Sequence, residues 1–310
     1  MVRTVIFIVI GVLLAGIFVL WLFGERWRPL HLSTWRLLRE GGLKRFFNLS
    51  FLHAYIYMRW TNQYVKMLFR LPPPPPRPRP RSKSWLSDHY HGKVLTPEHA
   101  HMIINLNHDI SLRDLEQVIP YPMARNLILK GPPDVVVYEC ACRHAQSHSC
   151  EPTQVCMIVG QPFTDFVLEH NPKSSRRLTQ AEALELLEAE HKRGHLHSAW
   201  FKDAMLDRFY AICNCCKCCC GGINAMAKYG FPMMVSSGYV ARVDEAICTV
   251  CGTCVEACAF SALSLDDVVL KVNWEKCMGC GVCVGQCTSE AMSLVRDEKK
   301  GIPLDVRALD

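Results

Sequence analysis

Uncharged residues run without a break from Thr4 to Phe23, TVIFIVIGVLLAGIFVLWLF. As a helix, the 19 residues from Val5 to Phe23 rise about 28 Å, against a hydrocarbon core of about 30 Å. The pattern predicts a transmembrane helix over residues 1–24. A cleaved signal peptide fits less well, because the apolar run is long, only Arg3 precedes it and no A-x-A site follows. From 31 to 70 the pattern changes. Aromatics such as Trp35, Phe51, Tyr55, Tyr57, Trp60 and Tyr64 alternate with Arg36, Arg39, Lys44, Arg45, Arg59 and Lys66. This composition suits a helical arm, residues 25–70, lying at a headgroup surface or on a partner subunit. LPPPPPRPRPR, Leu71–Arg81, can be neither helix nor sheet, and residues 71–84 read as a stiff polyproline linker.

Beyond the linker the periods shorten. Residues 96–130 read as short helices, the first opening at Thr96-Pro97-Glu98. DVVVYE, Asp134–Glu139, is a β-branched run of the kind a buried strand carries, and it leads directly into Cys140 and Cys142. LTQAEALELLEAEHKRG repeats leucine at helical spacing, with Thr179 and Glu182 as a capping box and Gly194 where a C-cap is wanted. A second strand-like stretch, Phe209–Ile212, delivers the chain into Cys213. Two strands therefore each end in a cysteine loop.

Charge and cysteine content divide the chain. Residues 1–95 carry 15 Lys/Arg against 3 Asp/Glu, and residues 96–310 carry 20 against 26. A basic front beside an apolar segment suggests an anionic lipid bilayer. No nucleic-acid motif accompanies the charge, so nucleic acid is not an expected partner. Positive residues after the apolar run exceed those before it, which places the body on the cytoplasmic side of a single-pass inner-membrane protein. All 18 cysteines lie at or beyond Cys140. Ten of them, Cys140, Cys142, Cys150, Cys156, Cys213, Cys215, Cys216, Cys218, Cys219 and Cys220, fall in the middle region. Reduced thiols in that number point to soft-metal binding, with one or two iron–sulfur clusters expected. Zinc would need only four of them, with His144, His148, His195 and His197 as further candidate ligands, and redox dithiols are a third option. Cys218, Cys219 and Cys220 are adjacent, and not all three can face one metal.

The last eight cysteines are ordered. Cys248, Cys251, Cys254 and Cys258 read C-x2-C-x2-C-x3-C, and Cys277, Cys280, Cys283 and Cys287 repeat it 29 residues later. Val243 matches Val272, and SALSL at 261–265 matches EAMSL at 290–294. This duplication resembles the bacterial two-cluster ferredoxin over about 60 residues, Gly238 to Asp297. The resemblance implies two [4Fe–4S] clusters, with the fourth cysteine of each run serving the other cube. One cube would take Cys248, Cys251, Cys254 and Cys287, and the other Cys277, Cys280, Cys283 and Cys258. The family usually has Pro after each fourth cysteine, where this chain has Ala259 and Thr288. The stretch Asp134–Pro232 is similar to cysteine-rich regions preceding ferredoxin modules in iron–sulfur proteins of anaerobic bacteria.

The expected fold class is α+β. It comprises an N-terminal transmembrane helix, the Pro-rich linker, a small α+β Cys-rich domain at 85–237, a ferredoxin-like domain of pseudo-two-fold ββαα type at 238–297, and a tail at 298–310. The expected function is electron transfer. A membrane-anchored relay would pass electrons between a soluble donor or acceptor and the subunits of a membrane redox complex, quinone-linked or otherwise. No catalytic residue is identified, and a subunit of an oxidoreductase complex is the expectation rather than a stand-alone enzyme. An iron–sulfur reductase with substrate chemistry in the Cys-rich domain, or an iron or redox sensor-scaffold, is the alternative.

Overall fold

Val135, Val136, Val137 and Tyr138 alternate between two apolar cores, because successive side chains of a strand point to opposite faces. The two cores lie on either side of one seven-stranded sheet. In the computed structural model, residues 2–23, 31–47, 49–71, 85–266 and 269–309 are described. The first helix is α1 (Val2–Phe23). Three helices follow: α2 (Leu32–Phe47), kinked at Gly42, then α3 (Ser50–Arg59) and α4 (Thr61–Arg70). The body begins with α5 (Trp85–His89), β1 (Tyr90–Leu95), α6 (Pro97–Ile104) and the paired strands β2 (Ile110–Leu112) and β3 (Leu127–Leu129). It continues through β4 (Val135–Glu139), α7 (Ala141–His144), β5 (Gln154–Val159), α8 (Phe163–His170), β6 (Ser175–Leu178) and α9 (Gln180–Lys192). It closes with β7 (Leu196–Lys202), β8 (Arg208–Cys215), α10 (Gly221–Tyr229) and β9 (Met234–Val235).

The sheet order is β6-β4-β5-β8-β7-β1-β9, antiparallel throughout except for β1 beside β9. One face is covered by α2, α3, α8 and α10, and the other by α6, α9 and the tail residues Leu304 and Val306. A bulge in β8 against Trp200/Phe201 of β7 lets both Tyr210 and Ala211 face the first core. α9 carries the capping box: Glu182 N–H donates to Thr179 Oγ1 (3.2 Å), and Thr179 N–H donates to the Glu182 carboxylate (2.8 Å). α6 starts at the Thr96 cap with Pro97 in its first turn. After α6, the region expected to be helical forms the β2/β3 pair instead. Pro120 and Pro122 lie between those strands and remove the amide donors a helix would need.

The expectations of a transmembrane helix and of a single-pass location in the cytoplasmic membrane are overturned. Among the described residues, no helix is long and apolar enough to cross a membrane. The Pro-rich linker falls outside the described residues, apart from Leu71.

α2 and α3 pack against the body. Tyr55 is fully buried, edge-on to Phe166 and His170 with ring centroids 5.6 Å away in each case. Arg36 pairs with Asp165 (2.6 Å), Glu40 accepts from Arg208 (3.3 Å), and the Tyr57 and Tyr210 hydroxyls lie 2.8 Å apart. Phe51, Tyr55 and Tyr57 belong to the sheet's first core, with Trp60 and Tyr64 packed against it, whereas Trp35 and Phe47 are exposed. Replacing Tyr55 by Ala is expected to cost about 3–5 kcal/mol, the range for emptying a buried aromatic site. Limited trypsin digestion should then cut faster at Arg59 and Lys66 while the sheet resists.

Candidate metal centres

The C-terminal module is built twice. β10 (Tyr239–Val243) pairs with β13 (Met292–Arg296), and β11 (Leu263–Asp266) with β12 (Val269–Val272); α11 (Thr253–Ala257) and α12 (Val282–Gly285) follow the cysteine loops. The repeat is visible in the backbone. Gly252 and Gly281, 29 apart, cap these helices with φ of 81° and 80°. Ser261 and Glu290, also 29 apart, take φ of 49° and 56°. Val250 and Gly279 are likewise equivalent, at 54° and 64°. A side chain is admitted at the first but not the second, where a Cβ would lie 2.3 Å from the Tyr239 carbonyl oxygen. The second loop is thus pressed onto β10, and only glycine fits.

Cys248, Cys251, Cys254 and Cys287 line one pocket together with Leu265, Leu270 and Met292. Cys277, Cys280, Cys283 and Cys258 form the other group, in which Cys280 feels Cys258 and Cys277, and Cys283 feels Cys258, Cys277 and Cys280. Backbone amides are aimed at sulfur in the second group: Ala241 N–H at Cys277 (3.4 Å) and Ala262 N–H at Cys258 (3.3 Å). The first group opens to solvent through the exposed Cys251. The second faces the body, where Cys280, Met278 and Phe260 pack against the core that holds Cys215 and Cys220. Burial pushes the Cys280 thiol up to about 12 and raises Cys283 further. Thiols so placed retain their protons unless a cation stabilises the thiolate. The donor set therefore suits iron–sulfur clusters: soft sulfurs, aligned amides and an enclosing apolar wall.

The ten thiols of the middle region separate into six and four. In β4, β5 and β8, Tyr138 stands opposite Cys156, and Ile158 opposite Ala211. The period of two then brings Cys140, Cys156, Cys213 and Cys215 onto the face of the first core. Cys142 in α7 and Cys220 at the start of α10 complete this group. Sulfur contacts run from Cys142 to Cys140, Cys156, Cys213, Cys215 and Cys220 in turn. Cys216, Cys218 and Cys219 belong elsewhere. Beyond the end of β8 the chain turns through 217–219, and these three meet Cys150 from the α7–β5 loop, all four sulfurs within 4.8 Å of one another. The dense stretch Cys213–Cys220 thus supplies three thiols to each group. The candidate histidines are engaged elsewhere: His144 with Glu139 (2.7 Å), His195 with Glu190 (2.7 Å) and His197 with Asn214 (2.6 Å), while His148 meets Cys219 only through its carbonyl oxygen (3.9 Å).

Residues that the sequence reading did not single out lie beside both groups. Arg143 is fully buried and electrostatically close to Cys140 and Cys216. It donates to Glu190 (2.8 Å), to the Asn214 carbonyl (3.3 Å) and to the Pro152 carbonyl. Burial alone would raise the Glu190 carboxyl, but the bonds from His195 and Arg143 outweigh it and hold it below the ordinary range. The available signal was a glutamate on the inner stripe of α9, in step with Ala183 and Leu187. Tyr57, Tyr90 and Tyr210 adjoin Cys142 and Cys213, with the Lys202 ammonium over the Tyr57 and Tyr90 rings.

A family model for the 4Fe-4S dicluster domain matches residues 247–291, which include all eight cysteines of the repeat. No curated protein is found to be similar to the chain. The match supports an iron–sulfur domain there.

Arg143→Leu should destabilise the fold by about 3–5 kcal/mol, because it removes a buried partner of the Glu190 carboxylate and leaves it only His195 and Arg193. Arg143→Leu combined with Glu190→Leu should recover part of that loss. Denaturant midpoints measured by circular dichroism would show both. With its pKa lowered, Glu190 contributes stability above the ordinary carboxylate range, and that contribution disappears as pH falls through the depressed value. The double variant should show a flatter acid limb.

Proposed function

We propose that the chain is an iron–sulfur electron-transfer protein whose C-terminal module is of the bacterial two-cluster ferredoxin type. An electron-transfer role is supported by the dicluster match. In this reading Cys248, Cys251, Cys254 and Cys287 hold one [4Fe–4S] cluster, and Cys277, Cys280, Cys283 and Cys258 hold the other. The six-thiol group of Cys140, Cys142, Cys156, Cys213, Cys215 and Cys220 holds a further iron–sulfur cluster. Such clusters supply one-electron chemistry when bound.

The observation that carries the reading is the placement of Cys280, packed against the core that contains Cys215 and Cys220. The exposed edge at Cys251 serves a redox partner protein, the second group lies against the body, and the six thiols lie within it. Amides directed at Cys258 and Cys277 stabilise negative charge at those sulfurs. Arg143 does the same near Cys140. A reductase reading draws on a different observation. The buried Tyr57, Tyr90 and Tyr210 hydroxyls beside Cys213, with Lys202 over the Tyr57 and Tyr90 rings, are proton donors near a candidate redox centre.

Iron and acid-labile sulfide, counted on oxygen-free protein, test the relay. Two cubes carry eight irons and eight sulfides, and the further cluster raises both counts. Cys254→Ser should remove about four irons and four sulfides. Cys213→Ser should lower the total while leaving the paired-cluster paramagnetic resonance signal of the module. A wild-type sulfide count of eight would remove the six-thiol cluster from the scheme, and a protein without sulfide would end the relay altogether. Turnover of an added oxidised substrate that is lost in Tyr57→Phe would favour the reductase.

A further inference from the structure

We infer that Cys150, Cys216, Cys218 and Cys219 form a mononuclear tetrathiolate site that takes one divalent first-row metal ion, zinc or ferrous iron, and no inorganic sulfide. This site is independent of the clusters proposed above and shares no ligand with them.

The argument is geometric. The four sulfurs lie within 4.8 Å of one another. Four thiolates at about 2.3 Å from one tetrahedral ion stand about 3.8 Å apart. In a cube each thiolate caps its own iron, so the same edge lengthens by a full iron–iron separation. The quartet fits the short edge. Among the described residues, no other group of three or more metal-ligating side chains gathers its ligand atoms this tightly. The two sets in the dicluster module and the six-thiol group are more open, as polynuclear centres require. The donor chemistry agrees: sulfur alone, without carboxylate or imidazole, is selective for soft and borderline ions.

The chain topology shows what such an ion would do. Cys150 lies in the loop between α7 and β5, whereas Cys216, Cys218 and Cys219 lie in the turn between β8 and α10. The first loop leads into β5, which carries Cys156, and the second follows β8, which carries Cys213 and Cys215 of the six-thiol group. Besides the approach of the sulfurs to one another, the loops meet where Cys219 Sγ lies 3.9 Å from the His148 carbonyl oxygen. An ion on the quartet clamps the two loops together. It thereby holds Cys142 and Cys220, the two ends of the line of sulfur contacts, in register. Cys218 is exposed, so the ion is reachable from solvent.

The test is a metal-to-sulfide inventory on full-length protein purified without oxygen, comparing wild type with Cys218→Ser and Cys150→Ser. The expected result is loss of about one metal equivalent per chain with acid-labile sulfide unchanged. Whether zinc or iron disappears identifies the ion. X-ray absorption at that metal's edge, for zinc directly, should show four sulfur neighbours at about 2.3 Å and no metal neighbour. Joint loss of about four irons and four sulfides would overturn the proposal in favour of a cube, and unchanged metal content would show that the thiols are not ligands. If either variant fails to fold, wild-type protein treated with a chromogenic chelator supplies the same reading. One ion should be released and rebound with sulfide retained, and release only together with sulfide overturns the site. A failure of the electron-transfer reading is distinguishable, because it appears in the sulfide count and not in the single ion.

Discussion

The body depends on one constraint: strands β4, β5 and β8 lie side by side with their alternation in phase. Because side chains repeat every two residues, cysteines at 140, 156, 213 and 215 reach the same face. A slip of one residue in β8 would move Cys213 and Cys215 to the opposite core, where α9 and α6 pack. The buried Arg143–Glu190 pair and the arm helices build on this arrangement. The first supplies positive charge next to Cys140, and the second closes the apolar wall over the sulfurs. Phe69 of α4 lies above Gly221, whose amide points at Cys142 (3.5 Å), so even the end of the arm borders the thiols.

The two cysteine regions solve a similar problem differently. In the dicluster module, short loops with left-handed residues at fixed offsets bring thiols together from nearby positions, and duplication supplies the second set. In the body, thiols come from strands far apart in sequence, and a seven-stranded sheet is needed to unite them. A local motif keeps its geometry in many settings, whereas a sheet-borne site depends on the whole domain being folded.

That difference explains what could be read from the chain. The repeat Cys248–Cys287, the α9 capping box and the strand before Cys140 were legible, because each is set by residues a few positions apart. The division of the ten middle thiols into six and four was not. It depends on the register of β5 against β8, and no local pattern encodes a pairing across more than 50 residues. The arm was equally opaque. Aromatics interleaved with arginines describe a helix at a membrane and a helix on a core alike, and the contacts of its inner side with Phe166, Asp165 and Tyr210 come only with the fold. Hydropathy alone suggested a membrane span for α1, which the described helix does not supply. Glu190 and Arg143 were hidden for a related reason: each is ordinary alone, and their meaning comes from meeting inside the fold.

The seam between module and body carries a consequence of its own. Gly285 sits so close to His191 that a Cβ would fall 2.4 Å from the imidazole nitrogen, and Gln286 donates to the Lys192 carbonyl (3.0 Å) while Lys217 donates to that of Glu256 (2.9 Å). Ser237 adds a bond to the Gly279 carbonyl (2.7 Å). A joint stitched in this way has no hinge. In the proposed relay, tunnelling across it takes place at one frozen separation and with little nuclear rearrangement. The speed of that hop is then governed by driving force and not by waiting for two bodies to swing into contact.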